Sequence, residues 1–126
     1  MTQKKIAVVE DEESLRRVLV EWLELEGYKT VGAASGQEAV VMLPRELPDL
    51  ILLDVILPEL NGFEVMERLR ENPATAKIPV VILSNLGDDE QRHRASKLGA
   101  VDYLVKAEHD FPSIKRVVER VLNHGV

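Results

Sequence analysis

Five short apolar runs, at residues 6–9, 29–34, 50–53, 78–83 and 101–105, alternate with five stretches whose apolar residues recur at helical spacing. This alternation constrains the fold more than any single motif, because strands separated by helices pair in parallel through right-handed crossovers. The helical stripes are Leu15, Val18, Leu19, Trp22 and Leu23; Ala39, Val40 and Leu43; Phe63, Met66 and Leu69; a mostly polar segment over 88–98; and Ile114, Val117, Val118, Val121 and Leu122. Breaker residues mark their limits: Gly27, Ser35-Gly36, Pro44 and Pro48, Asn61-Gly62, Asn72-Pro73 and Gly99. The run from Leu50 to Leu53 shows no polar alternation, which is the pattern of a strand covered on both faces. The pattern predicts an α/β domain: a doubly wound, five-stranded parallel sheet with five helices, in three layers.

A chain of 126 residues has room for one such domain, spanning 1–126, and the expectation is that no output domain is attached to it. Two sheets suit five strand–helix units of this size, a flavodoxin-like sheet in the order 2-1-3-4-5 and half of a Rossmann sheet. In either, ligands bind beyond the carboxyl ends of the strands, near the point where the strand order reverses. The residues at those ends are Glu10 and Asp11, Asp54, Ser84 and Asn85, and Lys106. In the flavodoxin-like order Glu10, Asp11 and Asp54 converge, with Ser84 and Lys106 beside them.

Asp54 ends a buried run although a carboxylate is poorly suited to burial, so it either caps a turn or is held there for chemistry. Three crowded carboxylates repel one another and either keep a proton or draw in a cation. Hard oxygen ligands without cysteine or histidine suit magnesium, which takes one or two carboxylates and keeps waters or phosphate oxygens. A lysine and a hydroxyl complete the usual complement for a phosphoryl group. The loop after the first run, EDEES, has no glycines to cradle a phosphate, so a phosphoryl group would need another anchor. A carboxylate supplies one by forming an aspartyl phosphate.

Composition narrows the classes further. With no cysteine in the chain, disulfides and thiolate metal sites are excluded. The formal charge of −6 argues against direct nucleic-acid binding, and no apolar run approaches membrane-spanning length.

The segments IAVVEDEESLRR, ILLDVILPELNG, VVILSN and GAVDYLVK occur in this order. Together they resemble the response-regulator receiver family, the CheY-like domains of two-component signalling, over nearly the whole chain. The resemblance implies that Asp54 is the phosphoacceptor. Asp11 and Asp54 would then bind Mg2+ directly with the backbone carbonyl of Ile56, and Glu10 through a bound water. Lys106 would neutralise one phosphoryl oxygen and Ser84 would hydrogen-bond another. Tyr103 takes the position of the aromatic switch, Pro58 shapes the loop after the acceptor, and Gly62 starts the third helix. The implied donor is a histidine kinase, a phosphotransfer protein or a small acyl phosphate in the cytoplasm. The implied receiver of the signal is an effector protein or output domain, with a homodimer possible. Such a domain is a switch, and the only reactions it catalyses are its own phosphorylation and dephosphorylation. Movement of Ser84 towards the phosphoryl group, and of Tyr103 inward, would alter the face made by the fourth helix, fifth strand and fifth helix.

Three positions depart from the family pattern: Glu10 in the acidic pair, Asn85 after Ser84, and Ala107 after Lys106, where a trans bond is expected in place of a cis-proline bond. Rival readings are weaker. A dehalogenase-type phosphatase wants a second aspartate where Ile56 stands, and a nucleotide-binding module wants glycines where EDEES stands. A degenerate receiver that binds partners without phosphorylation would have little use for the retained acids and lysine. Trp22 reads as part of the first helix's core stripe. His93, His109 and His124, and the clusters Arg92-His93-Arg94 and Lys115-Arg116, read as surface.

Overall fold

The protein is described here by a computed structural model covering residues 3–124. The elements run β1 (Lys5–Val9), α1 (Glu13–Leu25), β2 (Lys29–Ala33), α2 (Gly36–Glu46), β3 (Leu50–Leu53), α3 (Gly62–Glu71), β4 (Val80–Ser84), α4 (Asp89–Lys97), β5 (Asp102–Val105) and α5 (Phe111–His124), with a short 3-10 turn at Lys106–Glu108. The five strands form one sheet in the order β2-β1-β3-β4-β5, and every pairing is parallel. Of the two sheets open to the sequence, this is the flavodoxin-like one.

Strand alternation sends side chains to two cores. Ala7, Val9, Ile51, Leu53, Val80 and Ile82 pack beneath α2, α3 and α4, while Ile6, Val8, Leu50, Leu52, Val81 and Leu83 pack beneath α1 and α5. The inner strands β3 and β4 are buried at every residue, as a sheet covered on both faces requires. Edge strand β2 buries only Ala33, and its exposed Lys29 discourages pairing with another chain.

Helix starts follow side-chain chemistry. Ser35 caps α2 by accepting from Glu38 N, Asp88 caps α4 by accepting from Gln91 N, and Asn61 with Glu64 forms a reciprocal capping box on α3. Two details differ from the sequence pattern. Pro44 lies inside α2 instead of ending it; it falls in the last turn, where the missing N–H removes one hydrogen bond, and Leu47 N still reaches Leu43 O at 2.9 Å. The fourth strand begins at Val80, because Ile78 belongs to the preceding turn, its N–H donating to Thr75 O and its carbonyl accepting from Arg70.

Trp22 does not enter the core. Leu19 and Leu23 fill the centre of the α1 stripe at 1% exposure each, and Trp22 stays 39% exposed at its margin. Its ring instead packs on Phe111 of α5, with centroids 4.5 Å apart.

Candidate functional site

The parallel ladder continues one residue past the strand ends and places the acids side by side. Glu10 N donates to Ala33 O at 3.0 Å and Asp54 N donates to Val9 O at 3.0 Å. Val9 pairs with Leu53, so Glu10 and Asp54 are held in step by backbone. On the other flank Ser84 pairs with Val105, which brings Ser84 level with the start of the turn carrying Lys106. The chain must also turn sharply after Asp54. Gly62 permits it: its N–H donates to Val55 O at 2.8 Å, and a Cβ there would lie 2.4 Å from the Asp54 carbonyl.

Glu10 and Asp54 are only 3% and 5% exposed, and Ser84 is fully buried, whereas Asp11 is open to solvent. Carboxylate oxygens of Glu10, Asp11 and Asp54 lie within 4.8 Å of one another. Lys106 Nζ lies between two of these acids, 2.5 Å from Glu10 Oε1 and 2.8 Å from Asp54 Oδ2. The remaining oxygens are also engaged: Glu10 Oε2 accepts from Glu12 N at 3.0 Å and Asp54 Oδ1 accepts from Ile56 N at 3.1 Å. Burial pushes the Glu10 carboxyl above its ordinary value, against the hydrogen bond from Lys106. Burial also disfavours the Lys106 ammonium, but hydrogen bonds to Asp54 and Glu10 outweigh it and raise its pKa.

Further out, Ser84 Oγ accepts from Leu86 N at 3.3 Å, and the Ser84 side chain also acts on the Tyr103 phenol. The Leu86 carbonyl in turn accepts from the Tyr103 hydroxyl. Tyr103 is already buried at 8% exposure, so its ring lies inward without rotation. The Lys106–Ala107 bond is trans, as expected, and the chain enters the 3-10 turn there.

The sequence-predicted residues Glu10, Asp11, Asp54 and Lys106 therefore come together, with Ile56 hydrogen-bonded to the central acid and Ser84 leading outward to Tyr103. The direct Glu10–Lys106 contact is one the sequence pattern does not name; the family resemblance implies a water for Glu10 and a phosphoryl oxygen for Lys106. The glutamate at position 10, longer than the usual aspartate, was the available signal. Arg92 and Arg94, read as solvated, each lie over an aromatic ring. His93 is exposed and His109 half-buried; the side chain of His124 lies outside the described residues. The acid cluster is the one group of its kind among the described residues. Its donors are all hard oxygens, two of them drawn from buried side chains, a set that fits magnesium.

A family model described as "Response regulator receiver domain" matches residues 6–119. The phosphate regulon transcriptional regulatory protein PhoB of Rhizobium meliloti is 44% identical over 102 residues, covering 81% of this chain and 45% of that protein. The chain thus spans less than half the length of this curated relative. Among solved structures, chemotaxis protein CheY4 of Vibrio cholerae superposes with a TM-score of 0.90 at 27% identity, covering 96% of this chain and 100% of that one. The Mn(2+)-bound form of response regulator Rcp1 matches with a TM-score of 0.79 at 28% identity, covering 94% of this chain and 91% of that one. No helix among the described residues is long and apolar enough to cross a membrane.

Proposed function

The chain belongs to the response regulator receiver family of two-component signalling, and from that premise we propose that Asp54 accepts a phosphoryl group and that Ser84 and Tyr103 carry the signal outward. The observation that carries this reading is the buried Asp54 carboxylate at a strand end, 2.8 Å from Lys106 and within 4.8 Å of two further acids. The donor is a phosphohistidine of a kinase or phosphotransfer protein, or a small acyl phosphate. An Asp54 carboxylate oxygen forms the new O–P bond, and the P–N or P–O bond to the donor breaks. The electron pair leaves with the imidazole or carboxylate, so no proton has to be removed from Asp54.

Mg2+ would be held by Asp11 and Asp54 with the Ile56 carbonyl, and by Glu10 through water; bound there it screens charge between the acids and the phosphoryl oxygens. The chain's own groups do the positioning. Lys106 offers a cation that exchanges a carboxylate contact for a phosphoryl oxygen, and Ser84 donates its hydroxyl proton to another. As Ser84 turns towards the phosphoryl group, its bond from Leu86 N is disturbed, and Leu86 is the acceptor of the Tyr103 hydroxyl. A charge of about −1.5 to −2 added at Asp54 therefore reaches β5 through a short chain of hydrogen bonds. The equilibrium that shifts is between arrangements of the face built from α4, β5 and α5. Its reader is an effector protein or an output domain.

Intact-mass measurement after incubation with acetyl phosphate and Mg2+ tests the reading. One phosphoryl adduct is expected on the parent and none on Asp54→Asn. An adduct that persists in the variant, or none on the parent, would overturn it.

A further inference from the structure

The helix on the proposed switch face has little apolar anchorage. α4 buries one side chain, Ala95, over nine residues, whereas α3 buries four, Phe63, Val65, Met66 and Leu69, over ten. Apolar burial is the usual means of holding a helix to a sheet, so something else must fix its position.

Two arginines of α4 reach in opposite directions to do so. Arg92 lies over the Tyr103 ring, 5.2 Å from its centroid, and donates from Nε to the Gly87 carbonyl at 3.0 Å and from Nη1 to the Tyr103 carbonyl at 3.4 Å. Arg94 lies over the Phe63 ring on the α3 side, 4.3 Å from its centroid. Both side chains are largely exposed, yet each is engaged with an aromatic face. Both rings are also one link from the site. Tyr103 donates to Leu86, which donates to Ser84, and Phe63 follows Gly62, whose backbone presses on the Asp54 carbonyl. Gly87 presses on β5 as well, since a Cβ there would lie 2.5 Å from Val105.

We infer that Arg92 and Arg94 are positioning residues: two guanidinium–aromatic clasps, one on Tyr103 and one on Phe63, set where α4 lies. Because the clasps join α4 to Tyr103 of β5 and to Phe63 at the start of α3, each linked to the site, a change at the site moves the helix. The docking stands on its own contacts; its part in signalling rests on the phosphoacceptor reading.

Hydrogen exchange followed by mass spectrometry on the full chain tests this, with Arg92→Gln, Arg94→Gln and the lysine variants of both, before and after acetyl phosphate with Mg2+. Each glutamine variant is expected to speed exchange over residues 89–97 by about twofold to fivefold. β1, β3 and β4 should keep their protection, and the lysines should restore part of what is lost, since lysine keeps the cation but not the planar fork. The phosphorylation-dependent change in α4 exchange should shrink in the glutamine variants while the mass adduct forms as in the parent. Parental exchange in both glutamine variants would overturn the inference, leaving Ala95 as the anchor. Loss of protection throughout the sheet would overturn it too, by showing a role in folding rather than in docking. Absence of an adduct on the parent would sink the phosphoacceptor reading and the signalling part of the inference, while the exchange of unphosphorylated variants would still decide the docking.

Discussion

Lys106 holds together two acids that would otherwise repel. It is 15% exposed on its side chain, and both partners are nearly buried, so the pair lies in a region of weak screening. Lys106→Met keeps most of the volume and removes the charge. Stability at neutral pH should fall by on the order of 3 kcal/mol in urea unfolding, as for a buried pair with one partner lost, and added Mg2+ should restore much of it. Tyr103 offers a test by pH. Burial raises its phenol above the ordinary 10.0, so the folded state holds that proton more tightly than the unfolded chain does. The resulting contribution is fully present below pH 10.0 and is lost as pH rises through the folded value. Tyr103→Phe should cost about 1 kcal/mol at neutral pH, for the hydrogen bond to Leu86. The gap between variant and parent should narrow in unfolding curves taken at rising pH above that point.

Elements are joined at places where backbone meets backbone, and glycines mark them. A Cβ on Gly36 would lie 1.8 Å from the Leu60 carbonyl, so the start of α2 sits directly against the loop before α3. Gly32 in edge strand β2 is different, its nearest neighbour being the flexible Arg16 Cδ at 3.5 Å. Gly36→Ala should therefore lose about 1–3 kcal/mol or more from overpacking. Gly32→Ala should gain about 0.5–1 kcal/mol from a stiffer unfolded chain and a better strand residue. Thermal melts of the two variants, compared with the parent, check the contrast. The elements themselves were legible because helical and strand periodicities are local. Leu19 and Leu23, or Ile114, Val118 and Val121, declare their faces by spacing alone. Pro44 misled because breaking strength depends on position in the helix, and near the C-terminus only one bond is at stake. Trp22 misled because a stripe has a width, and a large ring at its margin stays half outside.

At the scale of the whole molecule, the sheet gathers chemistry from distant parts of the chain. Lys106 and Asp54 are 52 residues apart in sequence and 2.8 Å apart in space. A ligand that binds only this assembled site must stabilise the fold by mass action. At a free Mg2+ concentration of 100 times its dissociation constant the gain should be about 2.7 kcal/mol. Chelation should reverse it, and Asp54→Ala should reduce it in the same urea titrations. The site was legible because the topology rule for parallel sheets names strand carboxyl ends, and those ends carry Glu10, Asp11, Asp54, Ser84 and Lys106.

The amino-acid sequence by itself determined the elements, their buried faces, the parallel alternation and the end of the sheet where acids and lysine would meet, since each follows from spacing along the chain. Only the tertiary structure decided which partner each charge takes: Lys106 between Glu10 and Asp54, Tyr103 inward on Leu86, Arg92 and Arg94 on their rings. The physical reason is range. Periodicity is written by neighbours three or four residues apart, whereas a hydrogen bond or cation–ring contact depends on how packed elements sit to within a fraction of an ångström.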